Sequence, residues 1–130
     1  MYKKILYCSM ELRHFLITEF DSPDQPGSAE KYMDREFLAM IDAAAHLCKL
    51  QFLIVSGYRT KFQNRRWEGS SVSSHLIGKA AIIRCENAKK RYKMIASLME
   101  VGFSRIAVSR DQKTIYVDND DQKPDMFWLY

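Results

Sequence analysis

The chain has 130 residues, 47% apolar and 28% charged, which is enough for one domain with a real core, too little for two, and unlike a disordered chain. No apolar run approaches the roughly 20 residues that span a bilayer, and the opening MYKKILYCSM meets Glu11 and Arg13 before a long apolar stretch develops. The expectation is therefore a single domain over residues 1–130, cytoplasmic and not attached to a membrane. Cys8, Cys48 and Cys85 are odd in number and contain no CxxC, so they read as reduced, mostly buried thiols rather than a disulfide framework. The formal charge of +4 is unevenly spread: residues 58–93 hold ten Lys and Arg against two Glu. That density suits an anionic ligand, or else is the solvated face of a basic protein.

In chain order, SPDQPGS (residues 22–28) has two prolines and a glycine and reads as a turn closing an N-terminal segment. Asp34 is placed as an N-cap. Phe37, Ile41, Ala44 and Cys48 then recur at helical spacing and predict a helix with one buried stripe. QFLIVS (51–56) is too short for a helix and reads as a buried strand. Residues 58–74 read as a long polar loop carrying arginines, of the kind that is functional when it sits in a compact domain. GKAAIIRC (78–85) is a second strand, and Asn87 caps a second helix with Tyr92, Ile95 and Met99 on its inner face, ended by Gly102. SRIAVS and KTIYVD form a hairpin. The sum is an α+β fold: a mostly antiparallel sheet packed against two main helices.

SGYRT, Asn64, SSHLIGKAA, GFSRIAV and IYVDND, in this order and spacing, resemble the zinc D-alanyl-D-alanine carboxypeptidase family, especially its short bacteriophage and bacterial members. EFDSPDQPGS and the closing KPDMFWLY resemble them too, so the likeness spans nearly the whole chain and suggests a phage or prophage source. The resemblance implies a pattern Ser-x-His-x-x-Gly-x-Ala-x-Asp followed by His-x-Asp, with both histidines and the first aspartate holding zinc. Ser73, His75, Gly78, Ala80 and Asp118 match it, but Ile82 stands at the aspartate position and Tyr116 at the second histidine.

A catalytic zinc needs three protein ligands. Isoleucine offers no lone pair, and a tyrosine of ordinary pKa near 10 is protonated at neutral pH. Only His75 survives of the implied ligand set, so neither bound zinc nor another cofactor is expected. Cys85, an odd number of residues from Ile82, points to the opposite strand face, and His14 and His46 lie elsewhere. Where some branches of the family carry an acidic base, this chain has Lys113. Asp111 serves only in a different register.

What the resemblance leaves is a binding half: Arg59, the arginine of SGYR, suited to grip a carboxylate, with Ser73, His75, Tyr116 and Asp118 as further ligand-binding candidates. The expectation is a peptidase-like domain without catalysis that binds a peptidoglycan stem peptide or another carboxylate. The alternative is an active cell-wall peptide hydrolase, a carboxypeptidase or endopeptidase with an altered metal site. Nucleic acid is the weaker partner, because no nucleic-acid motif accompanies Tyr58 and Trp67 among the arginines.

Overall fold

A computed structural model describes residues 11–130; Cys8 and the rest of the opening decapeptide lie outside the described residues. The helices are α1 (Ser28–Tyr32), α2 (Arg35–Cys48), α3 (Lys61–Arg66) and α4 (Ala88–Glu100), with 3-10 turns at Ile17–Phe20 and Ser74–Ile77. The strands are β1 (Ile54–Ser56), β2 (Ala80–Arg84), β3 (Arg105–Val108), β4 (Thr114–Asp118) and β5 (Met126–Leu129), in the sheet order β1-β2-β4-β3-β5. Among the described residues no helix is long and apolar enough to cross a membrane.

Both main helices start where a side chain satisfies an orphan amide. Asp34 accepts from the Phe37 N–H and Asn87 from the Lys90 N–H, each cap contributing about 1 kcal/mol. Helix α2 buries the expected stripe of Phe37, Ile41, Ala44 and Cys48, with Leu38 and Ala45 beside it. Helix α4 is turned differently from the expectation. Its buried residues are Met94, Ser97 and Leu98, while Tyr92 and Met99 are exposed. Of the expected stripe only Ile95 packs against the core, and it is partly buried. These helices, with Phe20, Phe52 and Phe103, cover Ala81, Ile83, Ile106, Ile115 and Val117 on one sheet face. Cys48 and Cys85 are buried free thiols in this core.

The sheet is mixed. Three neighbour pairs are antiparallel, but β5 runs parallel to β3, with Arg105 opposite Met126 and Val108 opposite Leu129. The reason is geometric: β4 brings the chain back to the Arg105 end of β3, so a strand laid on the free edge of β3 must start there and run the same way. Strand β5 escapes the sequence pattern because apolar residues occupy both its faces. Residues 51–56 form a strand only over its last three positions. The 58–74 segment is not one loop: Thr60 accepts from the Gln63 N–H and starts α3, whose buried residues, Gln63 and Asn64, are polar and leave no apolar period to read.

The opposite sheet face is organised by one row of side chains. Ser56 is paired with Ile82, Ile82 with Tyr116, Tyr116 with Ala107, and Ala107 with Trp128, across all five strands. The 3-10 turn Ser74–Ile77 lies against this face, closed by Gly78 at φ +70°. The Gly78 carbonyl accepts from the Asp34 N–H at 2.9 Å, and a Cβ at Gly78 would stand 2.0 Å from the Tyr32 carbonyl oxygen. Gly27, also left-handed, faces open space. We expect Gly27→Ala to cost about 1 kcal/mol, the strain of the left-handed backbone alone. Gly78→Ala should cost clearly more, through strain plus a backbone collision. Urea unfolding of the two variants checks this, and equal costs would contradict it.

Candidate functional site

His75 is placed by its own turn. The Ser73 hydroxyl accepts from the His75 N–H at 3.2 Å and caps the turn, while the ring Nδ1 lies 2.7 Å from the Gly57 carbonyl. A carbonyl only accepts, so Nδ1 carries the proton and Nε2 keeps a lone pair. Gly57 holds this position without a side chain, since a Cβ there would strike the Phe20 backbone at 2.7 Å. The ring is 2% exposed. Burial first, and the Arg59 charge second, hold its pKa down to about 3.

Beside it lie the two positions that part from the family pattern. Ile82 and Tyr116 are direct cross-strand partners, and the Tyr116 ring meets His75 edge-on, with centroids 5.6 Å apart. The Tyr116 hydroxyl donates to Asp118 at 2.5 Å. Burial, and then that hydrogen bond, push its pKa above the usual tyrosine value, so the group is a phenol and a donor.

Arg59 forms one end of the same cleft, which has a volume of about 340 Å³ and includes Ser70, Ser73, Trp128 and Tyr130 in its walls. Its Nε donates to the Ser56 hydroxyl at 3.0 Å and its Nη1 to Asn64 Oδ1 at 3.3 Å, and the guanidinium lies 5.0 Å over the Trp67 ring. Asn64 is itself held, donating to the Ser70 carbonyl at 2.9 Å, with Gly69 so close that a Cβ there would overlap its Oδ1 at 2.1 Å. Burial lowers the Arg59 pKa, though not into a range where arginine loses its charge.

Two other cations border the cleft, and each is paired. Arg105 Nε contacts both oxygens of Asp118 at 2.8 and 3.1 Å, and Lys123 lies 3.5 Å from Asp120. Among the described residues Arg59 has no carboxylate at ion-pair distance, only neutral partners.

Of the sequence candidates, Arg59, Ser73, His75 and Tyr116 therefore meet in one cleft. Asp118 does not reach it. It is fully buried behind the wall, its oxygens taken by Arg105, Tyr116 and the Asp120 N–H. Asp111 closes the hairpin turn, accepting from the Ser109 hydroxyl and the Lys113 N–H, and Lys113 is exposed. Cys85 faces the core, and His14 and His46 pair with each other against α2 at 3.1 Å.

Sequence reasoning missed Ser74, which donates to Asp120 at 2.7 Å and accepts from Lys123 at 2.9 Å. It also missed Trp128 and Tyr130. The only signal for Ser74 was its place in the SSH triplet, and for the aromatics their period-two spacing.

The buried neutral histidine has a pH signature. In the unfolded chain it titrates near the ordinary 6.5, while the folded ring stays neutral down to about 3. Below about pH 6.5 the unfolded chain therefore binds a proton that the fold refuses. This group lowers stability as pH falls, by at most about 1.4 kcal/mol per pH unit, and has no effect above that window. NMR of the ring nitrogens should find Nδ1–H and a bare Nε2 unchanged from about pH 8 to 4.5; a midpoint near 6 would contradict the geometry.

A sequence profile of the family described as peptidase M15 matches residues 17–118, while no curated protein matches the chain. The zinc of this family asks for donors that the cleft does not offer. On the family pattern the positions are His75, Ile82 and Tyr116: one imidazole, one hydrocarbon, and one phenol that gives its proton to Asp118. Among the described residues no three His, Cys, Asp or Glu side chains are grouped to hold a metal ion, so the donor set does not fit zinc. The match nonetheless runs from the first 3-10 turn to the last residue of β4, well over half the sequence, and the chain belongs to the peptidase M15 family, the zinc D-Ala-D-Ala carboxypeptidase type.

Proposed function

We propose that this domain is a catalytically silent member of its family whose cleft binds a carboxylate, such as the end of a cell-wall stem peptide, on Arg59. The observation that carries the reading is the charge state of the cleft: Arg105 and Lys123 have their carboxylates, and Arg59 is half-buried among neutral groups. A cation withdrawn from water without a counter-ion gains from an anionic ligand that supplies one.

The chemistry of binding follows from the donors left over. Arg59 has five N–H bonds, of which Ser56 and Asn64 occupy two, so a two-point grip on a carboxylate remains open. The Ser70 and Ser73 hydroxyls each accept a backbone N–H, from Val72 and His75, which leaves their own protons to donate to the ligand. His75 is uncharged and presents an acceptor at Nε2, suited to an amide N–H of a peptide.

Hydrolysis lacks its parts in this arrangement. Water activation needs a metal or a positioned base, and the position that carries an acid in some branches of the family holds Lys113.

The probe is N-acetyl-D-alanyl-D-alanine. Calorimetry should find it bound by the wild type and about tenfold or more weaker with Arg59→Gln, since hydrogen bonds to charged groups are worth about 1.5–3 kcal/mol. Released D-alanine should be absent. Chelator-sensitive release of D-alanine would overturn the silent reading, and equal binding by Arg59→Gln would remove the arginine from the site.

A further inference from the structure

The residues matched by the family end at Asp118, yet the cleft does not. Strand β5 comes after them and adds a wall. Trp128 stands opposite Ala107 in the parallel ladder, and the ladder continues as the Tyr130 N–H donates to the Val108 carbonyl at 3.0 Å. Two residues apart, both side chains fall on the cleft face, and both line the cleft. Phe127, the residue before Trp128, lines a different groove on the helix side of the sheet.

Ala107 is what lets this wall form. Tyr116 and Trp128 are two strands apart, roughly 10 Å between backbones, and with only a methyl group between them their rings meet at 5.6 Å. Tyr130 adds a third ring 6.2 Å from Tyr116, and its hydroxyl is hydrogen-bonded to Thr114. The Arg105 guanidinium, fixed by Asp118, lies 4.9 Å over Trp128. The rings are held before any ligand arrives, which reduces the ordering cost of binding.

Facing them are Gly69, Ser70, Ser73 and Ser74, all small. At about 340 Å³ the cleft is near the lower limit for small-molecule pockets. A carboxylate gripped at Arg59 therefore has its next group between small residues and three rings. The rings have no role for an alanine-sized group there, whereas an aromatic group can meet them edge-to-face or offset.

We infer that Trp128 and Tyr130 form a side-chain subsite that selects carboxylate ligands bearing an aromatic group next to the carboxylate. This rests on the carboxylate reading of Arg59, and the test separates the two. The probes are N-acetyl-phenylalanine and N-acetyl-alanine, both enantiomers of each, titrated by calorimetry into wild type, Trp128→Leu and Tyr130→Leu.

The expected result is at least about tenfold tighter binding of one phenylalanine enantiomer than of either alanine probe. That preference should fall to about threefold or less in both variants while the alanine probes bind as before. Alanine and phenylalanine probes bound equally well, or a preference that survives both substitutions, overturns the subsite and leaves the carboxylate reading standing. No binding of any probe overturns both. Amide NMR checks that Trp128→Leu folds; if it does not, Tyr130→Leu decides, because that side chain sits at the cleft rim with 39% of its surface exposed.

Discussion

One cross-strand row governs the cleft: Ser56, Ile82, Tyr116, Ala107 and Trp128, each opposite the next. A one-residue slip in any pairing would send its side chain to the core face, so the buried Ala81, Ile83, Ile115 and Val117 on the reverse side hold the row in register. Everything the cleft can do follows from who stands in it. Ser56 anchors Arg59 at one end, Ala107 lets two rings meet at the other, and the centre is a hydrocarbon beside a phenol. Two of the family's three metal-ligand positions, Ile82 and Tyr116, are places in this row, and the third, His75, meets it from the Ser74–Ile77 turn.

Charge is arranged behind the row as strictly as shape is arranged in it. Asp118 is buried completely and is satisfied by Arg105, the Tyr116 hydroxyl and the Asp120 N–H. Through Asp120 the network reaches Ser74 and Lys123, and Lys123 donates to the Val72 carbonyl, tying the serine-rich loop to the sheet end. Such a network is intolerant of losing a member, because an unpaired buried charge costs about 3–5 kcal/mol. It fixes the phenol of Tyr116 as a donor and pairs Arg105 and Lys123 with carboxylates. Among the described residues Arg59 is left as the cleft cation with no carboxylate at ion-pair distance.

Much of this was legible in the sequence, and the gaps have physical causes. Helix α2 could be read because Asp34 caps it and its apolar residues follow one stripe, and the β3–β4 hairpin because its strands are apolar and its turn is polar. That Ile82 and Tyr116 stand beside His75 is implied by their places in the family's zinc-ligand pattern, though their direct cross-strand pairing is not. Helix α3 could not be read, since its buried side chains, Gln63 and Asn64, are polar, and Asn64 holds Arg59 where a core helix would carry an apolar residue. The inner face of α4 was misread because Ser97 is buried while Tyr92 and Met99 are not. Strand β5 was hidden because Phe127 and Trp128 serve different faces, which erases the alternation that marks a strand with one wet side.

The proposed silence of the cleft rests on Ile82 and Tyr116 standing where the family pattern has two of its three zinc ligands. The direct measurement is zinc titration, by calorimetry, of wild type, Ile82→Asp, Tyr116→His and the double variant. Three ligands are needed to hold the ion and each single change supplies only a second. The expected result is no tight zinc site at His75 in the wild type, little gain in either single variant, and a steep gain in the double variant that His75→Ala removes. One equivalent of zinc bound by the wild type and lost with His75→Ala, or a double variant that binds zinc no better than wild type, would contradict it.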